Sequence, residues 1–307
     1  MIAGLTDNMR GAAFMSVSMA GFVVNDTLVK LASSDMSVFQ LLFVRGLMAS
    51  ALIAVIAWRA GAFRAHIVPR DRRVLALRVV GEMAAATLFL TALFQMPLAN
   101  VTAILQSGPL GITLAAAVFL GEPVGWRRVS AIIIGFTGVL LIVRPGAEGF
   151  SSASLFAIAA VAFVVLRELA TRQLSPGVPS LLVVFATASA VSIMGGAVTL
   201  FDDWRPLSGP TLALLAGSAI AVNVGYFFGV KAVRVGEIGF VAPFRYAVMI
   251  WALVLGYAVF GDLPDALTLT GAALVVGSGV YSFHREQRLA RAAAAAARRA
   301  EGARGVL

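Results

Sequence analysis

ALFQMPLANVTAIL, residues 92–105, has a diverged counterpart in GVKAVRVGEIGFVA, residues 229–242. The two align loosely at an offset of 137, and further on Phe119-Leu120-Gly121-Glu122-Pro123 is matched by Val259-Phe260-Gly261-Asp262-Leu263 at an offset of 140. Each copy places a short apolar run and a glycine before a carboxylate at the end of an apolar block. The three-residue drift is close to one helical turn. The chain therefore reads as an internal duplication, and its fold follows from what one copy contains.

Each copy contains five apolar blocks. The 307 residues are 60% hydrophobic and 13% charged, against roughly 25% charged in a soluble domain. The apolar residues come in runs of about twenty, the length that spans a bilayer core of about 30 Å as a helix. Cutting at charged, Pro- and Gly-containing breaks gives ten spans: 10–31, 37–58, 74–95, 98–120, 127–144, 150–172, 179–200, 209–231, 236–260 and 266–284. The connections are short, as in Met96-Pro97-Leu98 and Arg144-Pro145-Gly146. Five spans per copy is an odd number, so the second copy enters the membrane from the opposite side. The expectation is an all-α polytopic membrane protein, ten transmembrane helices as two inverted five-helix repeats, residues 10–145 and 149–284, with a basic tail at 285–307.

The charges agree with that count. Of 24 Lys and Arg, 17 fall on one face: Arg10, Arg59, Arg64, Arg70, Arg72, Arg73, Arg127, Arg128, Arg172, Lys231, Arg234 and six in the tail from Arg285 to Arg304. Lys30, Arg144 and Arg205 fall on the other, which Asp35, Glu148, Asp202, Asp203, Asp262 and Asp265 make acidic. The positive face is the cytoplasmic one, which places both termini inside and the protein in a bacterial-type inner membrane as a multi-pass protein. The net charge of +9 is thus a topology signal, not a nucleic-acid footprint. The first block lacks a long basic leader and a clear small-residue cleavage site, so it is read as a retained helix. The Ala- and Arg-rich tail reads as a short helix on anionic headgroups or a frayed end, chiefly topological and solubilising. The absence of cysteine removes disulfides and thiolate sites, and two histidines, His66 and His284, do not suit zinc. No cofactor is implied.

Residues 109–138, PLGITLAAAVFLGEPVGWRRVSAIIIGFTG, with Leu120-Gly121-Glu122 followed by a short polar loop and a Gly-rich helix, resemble the EamA-type branch of the drug/metabolite transporter superfamily. The resemblance spans residues 10–284. The second copy departs from the family pattern: Asp262 stands where Glu is commoner, and Pro243 lies further upstream of it than Pro109 lies from Glu122. Val24-Asn25-Asp26-Thr27 with Lys30, and Phe43-Val44-Arg45-Gly46, resemble bacterial members that take up riboflavin or S-adenosylmethionine. The resemblance implies a secondary transporter of a small organic metabolite, first riboflavin uptake, then S-adenosylmethionine uptake, or metabolite or drug efflux.

Ionisable groups inside spans cost roughly 2.5–3.5 kcal/mol each on insertion scales and so face protein, water or a partner. They are Asp26, Arg45, Arg78, Glu82, Arg167, Glu168 and Arg245. Arg78 and Glu82 are four apart, share a helix face and can pair; Glu82, near the middle of its span, is a candidate to bind substrate or carry a proton. Asp26 and Arg45, in the outer halves of consecutive helices, either neutralise each other or line the mouth of a pathway. Arg245, beside Tyr246 and ahead of Trp251, offers a planar donor fork or clamps the carbonyls that Pro243 frees. Arg167-Glu168 near a span end reads as snorkelling, outside the site. Asn223 and Tyr226 share a face of the eighth span, and Gln106 and Ser107 precede Pro109, where a proline frees backbone carbonyls. Gly135, Gly138, Gly271, Gly277 and Gly279 read as helix-packing contacts.

With no P-loop, acidic metal cluster or serine–histidine pairing, neither ATP-driven transport nor hydrolysis is expected, and the driving force is a gradient or none, protons being one candidate. The partners are a small-molecule substrate and the lipid bilayer, and no nucleic acid. A membrane enzyme or scaffold is the competing class; an enzyme would need His, Asp or Ser converging at one membrane face, and no such set is visible.

Overall fold

The computed structural model describes residues 6–65, 67–121, 125–145, 151–202 and 204–304. His66, Glu122, Pro123, Glu148 and Asp203 lie outside the described residues. Ten helices are long and apolar enough to cross a membrane, and no strand occurs among the described residues. They are α1 (Asp7–Ala32), α2 (Val38–Arg59), α3 (Pro69–Gln95), α4a (Leu98–Leu105) with α4b (Gly108–Leu120), and α5 (Trp126–Val143). In the second half follow α6 (Ala153–Arg172), α7 (Ser180–Thr199), α8 (Gly209–Val235), α9a (Ile238–Val241), a 3₁₀ segment (Ala242–Tyr246), α9b (Ala247–Phe260) and α10 (Ala266–Arg304).

All ten spans stand where the apolar blocks put them, with two extensions. α3 begins at Pro69 rather than 74, because Pro69 occupies the first turn, where its missing N–H is harmless, and Asp71 complements the helix dipole there. The tail is neither a separate short helix nor a frayed end over most of its length: α10 continues unbroken to Arg304, as an Ala- and Arg-rich stretch favours.

Backbone features recur along the chain at an offset of 140, not at the 137 read from residues 92–105. α3 ends at Met96 (φ −137°, ψ 161°) and α8 at Gly236 (φ −104°, ψ 159°), both extended. Their amides donate to Ala92 O at 3.0 Å and Ala232 O at 3.1 Å. The next helix is interrupted after Gln106 in one half and after Tyr246 in the other. It then ends on a left-handed glycine, Gly121 (φ 67°) or Gly261 (φ 70°), a conformation that only glycine adopts without strain. Pro109 and Pro243 each withhold an amide near these breaks, although the two prolines are not equivalent in this register.

Helix pairing follows the same exchange. The most extensive contacts are α1 with α8, α3 with α6, α2 with α7, and α5 with α10. Replacing helix n by n+5 turns the first pair into the second and leaves the other two unchanged. The self-paired helices run antiparallel. A Cβ on Gly46 would lie 2.8 Å from Ser192 Cβ, while one on Gly195 would lie 2.7 Å from Phe43 N and 2.8 Å from Phe39 O. Likewise Gly138 meets Leu274 and Val275, and Gly271 meets Ile142. Such backbone-to-backbone approach is how helices associate in lipid, and antiparallel partners are what halves of opposite orientation produce.

The core is displaced toward one end. Most of the large buried cluster, including Val29, Ala32, Met36, Leu41, Leu93, Leu98, Val101, Val143, Ala153 and Leu215, lies at the face opposite the chain termini. At the termini face a small cluster, Phe14, Met15, Met19, Ala232 and Val241, joins only α1, α8 and α9a. The buried core is thus concentrated at the face of the 33–37 and 96–97 turns. The three basic residues of that face are all tied down. Lys30 Nζ donates to Met96 O at 2.5 Å, Arg144 holds Asp265, and Arg205 donates to Ser34 O at 3.3 Å.

Candidate functional site

The mid-span ionisable groups fall into two sets. The first is built on α3 and α6. Gly81 lets α6 approach closely: a Cβ there would meet Arg167 N at 3.3 Å. That proximity puts Arg167 against Glu82, with Nη1 to Oε2 at 2.7 Å, and its other nitrogen reaches Glu168 Oε1 at 2.9 Å. The Arg167 and Glu82 side chains are only 24% and 23% exposed. The pairing corrects two expectations. Glu82 pairs across helices with Arg167, not along its own helix with Arg78, and Arg167-Glu168 is not a snorkelling pair at a span end but the centre of an ion-pair network. Arg78 instead donates from Nε to Thr171 Oγ1 at 2.9 Å and from Nη1 to Thr187 Oγ1, hydroxyls of α6 and α7.

The second set joins α1, α2 and α8. Asp26 accepts one hydrogen bond, from Asn25 Nδ2 at 2.9 Å, and lies within electrostatic range of Arg45. Asn25 Oδ1 is buried with no hydrogen-bond partner among the described residues. α1 and α8 meet through Gly21 and Gly225, and Ser18 Oγ donates to Gly225 O at 2.6 Å. This contact sets Tyr226 edge-on to Phe22, with centroids 5.1 Å apart.

The remaining candidates stand apart from this centre. Asn223 spends its amide on its own helix, Nδ2 donating to Ala219 O at 2.7 Å. Gln106 caps α4a at the break, beside Ser107, whose hydroxyl donates to Ile104 O at 2.7 Å. Arg245 is exposed in the 3₁₀ segment, next to Tyr246, whose phenol it influences. Trp251 Nε1 donates to Ser16 O at 3.1 Å and ties α9b to α1. Reading the residues alone missed Arg167 as a site member, and Thr171 and Thr187 as the partners of Arg78. The missing signal was that α3 and α6 are adjacent, which the 140-residue exchange of the α1–α8 contact would have supplied.

The two helices that carry breaks, α4 and α9, occupy equivalent places in the two halves and touch each other. α9b also packs on α1, and α4b on α6. Interrupted helices at corresponding positions mark the substrate site in transporters built from repeats. Here they flank the α1 and α6 residues that carry Asp26 and Arg167.

The sequence pattern of the EamA-like transporter family matches residues 9–144. A riboflavin transporter of Vibrio cholerae is 30% identical over 218 residues, 70% of this chain and 72% of that protein. An S-adenosylmethionine uptake transporter of Rickettsia felis is 23% identical over 281 residues, covering 91% and 94% of the two chains. A solved crystal structure of a protein superposes with a TM-score of 0.61 at 19% identity, covering 90% of this chain and 98% of the other, and shares its fold.

Proposed function

The chain belongs to the EamA-like transporter family, and from that footing we propose that it moves one small organic metabolite across the inner membrane by alternating access, with riboflavin uptake as the first reading and S-adenosylmethionine uptake as the second. The observation that carries the proposal is the set of ionisable side chains buried within the spans, Glu82 with Arg167 and Asp26 with Asn25, beside helices interrupted at equivalent positions. The halves are two inverted repeats, residues 10–145 and 149–284, and both termini are cytoplasmic.

On this reading the structure is the inward-facing state: the larger part of the buried core lies at the outer face, and a smaller cluster at the cytoplasmic face joins α1, α8 and α9a. Substrate enters or leaves between α3 with α6 on one side and α1 with α8 on the other. Rocking of the halves then opens the outer face and packs the inner one. If protons drive the cycle, Asp26 is better placed than Glu82 to carry one. Glu82 must first give up Arg167, whereas Asp26 holds only the amide of Asn25.

Expression in a riboflavin auxotroph without an importer tests the first reading, with growth at low external riboflavin expected. Failure of both rescue and labelled-riboflavin uptake into proteoliposomes, with S-adenosylmethionine taken up instead, replaces the first reading by the second. Net export of either compound under the same gradient overturns the direction. With protons as the driving ion, Asp26→Asn abolishes gradient-driven uptake and leaves counterflow exchange intact.

A further inference from the structure

Two hydroxyl–carboxylate contacts, at opposite faces of the membrane, occupy the same place in the two halves. At the cytoplasmic face Asp71 Oδ1 accepts from the Ser175 amide at 3.3 Å and from its hydroxyl at 3.1 Å. At the outer face Thr211 Oγ1 donates to Asp35 Oδ2 at 2.5 Å. Asp71 and Thr211 are each the third residue of a helix, since α3 starts at Pro69 and α8 at Gly209. Ser175 and Asp35 each stand three residues beyond a helix end, at Arg172 in α6 and Ala32 in α1. Position 35 answers to 175 and 71 to 211, both at an offset of 140. The two contacts therefore map onto each other, with acid and hydroxyl exchanged between helix and loop. In both the helix member is buried, Asp71 being 2% and Thr211 1% exposed, where a polar group left without its partner is costly. What the two places share is the bond, not the residue that makes it.

We propose that Asp71–Ser175 and Asp35–Thr211 are pins that stay closed throughout the transport cycle, one holding α3 to α6 at the cytoplasmic face and the other α1 to α8 at the outer face, so that each helix pair moves as a unit and the alternation takes place between the pairs. The inference rests on the reading of the chain as two inverted repeats that alternate. In such a cycle the opposite-facing state is reached when each repeat takes up the conformation that the other holds now. A contact whose equivalent is also made now is then made in both states. Other ties of the outer face carry no such guarantee. Lys30 with Met96 O and Arg144 with Asp265 answer, at the same offset, to Ala170 with Gly236 and His284 with Gly125. Those residues hold neither the lysine of the first tie nor the carboxylate of the second, so neither tie is repeated, whereas the pins are present twice.

Two measurements on the full-length protein test this. The chain contains no cysteine, so Asp71→Cys with Ser175→Cys, and Asp35→Cys with Thr211→Cys, each supply a single thiol pair. A hydrogen bond through a carboxylate spans more than a disulfide does, so a short bifunctional methanethiosulfonate is the linker. With the linker in excess, thiols held together are bridged by one molecule and thiols that separate are capped by two, which mass spectrometry distinguishes without any substrate. Bridged protein is expected to predominate for both pairs, and doubly capped protein at either overturns the proposal. In proteoliposomes the bridged variants are expected to keep riboflavin counterflow within about twofold of the unbridged ones. Loss of counterflow on bridging, regained when a reductant opens the linker, overturns the pins and leaves transport standing. Where the unbridged variants carry neither riboflavin nor S-adenosylmethionine, the substrate readings fail and the ratio of bridged to capped protein decides the pins alone. The second measurement exchanges the partners, and also serves where a cysteine pair does not fold. Ser175→Asp alone sets two carboxylates face to face and is expected to lower the melting temperature by about 3 °C. Adding Asp71→Thr builds the outer arrangement at the cytoplasmic face and is expected to recover that loss. A double variant that melts no higher than the single overturns the equivalence of the two contacts, whether or not anything is transported.

Discussion

Removing Arg167 should cost more stability than any other single change among the mid-span charges, and removing Glu82 with it should add little further cost. Arg167 bridges Glu82 at 2.7 Å and Glu168 at 2.9 Å. At an effective dielectric of about 20 and a charge separation of about 4 Å, one such pair is worth about 4 kcal/mol before desolvation. The Arg167 and Glu82 side chains are each about a quarter exposed (24% and 23%), and Glu168 is 41% exposed. Screening therefore reduces the Glu82 contact to about 2 kcal/mol and the Glu168 contact to well under 1 kcal/mol. Arg167→Gln strands Glu82 between helices without a partner and should destabilise by about 3 kcal/mol, at the lower edge of the range for breaking a buried pair. Glu82→Gln strands the arginine less completely, because Glu168 remains. The double variant should sit about 2 kcal/mol above the sum of the singles, a coupling measurable by denaturing detergent titration of the purified protein, read by tryptophan fluorescence. A coupling below about 0.5 kcal/mol, the value of an exposed surface pair, would refute the claim that Arg167 and Glu82 form a membrane-embedded staple.

Three further outcomes are expected. Gly195→Leu drives a side chain into the backbone of α2 at Phe39 and Phe43 and should destabilise by about 3 kcal/mol; wild-type melting would show that α2 and α7 are not packed as described. Asp265 sits just ahead of the span of α10, and the Arg144 guanidinium and the Thr268 amide and hydroxyl hold its carboxyl down at about 2. A carboxyl depressed in the folded state stabilises above its ordinary range near 3.8 and loses that contribution as pH falls toward 2. Arg144→Gln should therefore flatten the acid limb of the stability profile between those values, and superimposable profiles would sink the assignment. Alkaline phosphatase fused after Pro206 should be active and fused after Leu307 inactive; the reverse pattern would invert the orientation drawn from the basic residues.

The spans were legible because each apolar block is long enough to cross a membrane by itself, so hydropathy and the Lys/Arg bias decide them without tertiary contacts. The 137 offset read for a repeat differs from the 140 at which backbone features recur. Sliding residues 92–105 by three places brings each helix face nearly back onto itself, so hydrophobic similarity scarcely separates 137 from 140. What separates them is backbone conformation: extended Met96 and Gly236, left-handed Gly121 and Gly261. Among the candidate site residues, Asp26, Arg45 and Glu82 were singled out from the cost of charge within a span. Arg167 was set aside because it lies near the end of α6, and depth alone cannot show that Gly81 brings α3 within reach. Asn223 was singled out as a polar side chain on a membrane helix, yet its amide is spent on Ala219, an option open to any asparagine in a helix.

The two equivalent joints of the molecule are built from different materials. α3 and α6 are joined by charge through Arg167, while α1 and α8 meet across Gly21, Gly225 and the Ser18 hydroxyl, a seam of close backbone packing. A duplicated protein with identical joints would flex equally about both and hold no preference between its two end states. On the proposed alternating-access reading, unlike joints break that degeneracy, and the bias between inward- and outward-facing populations is set by side chains that the two copies do not share.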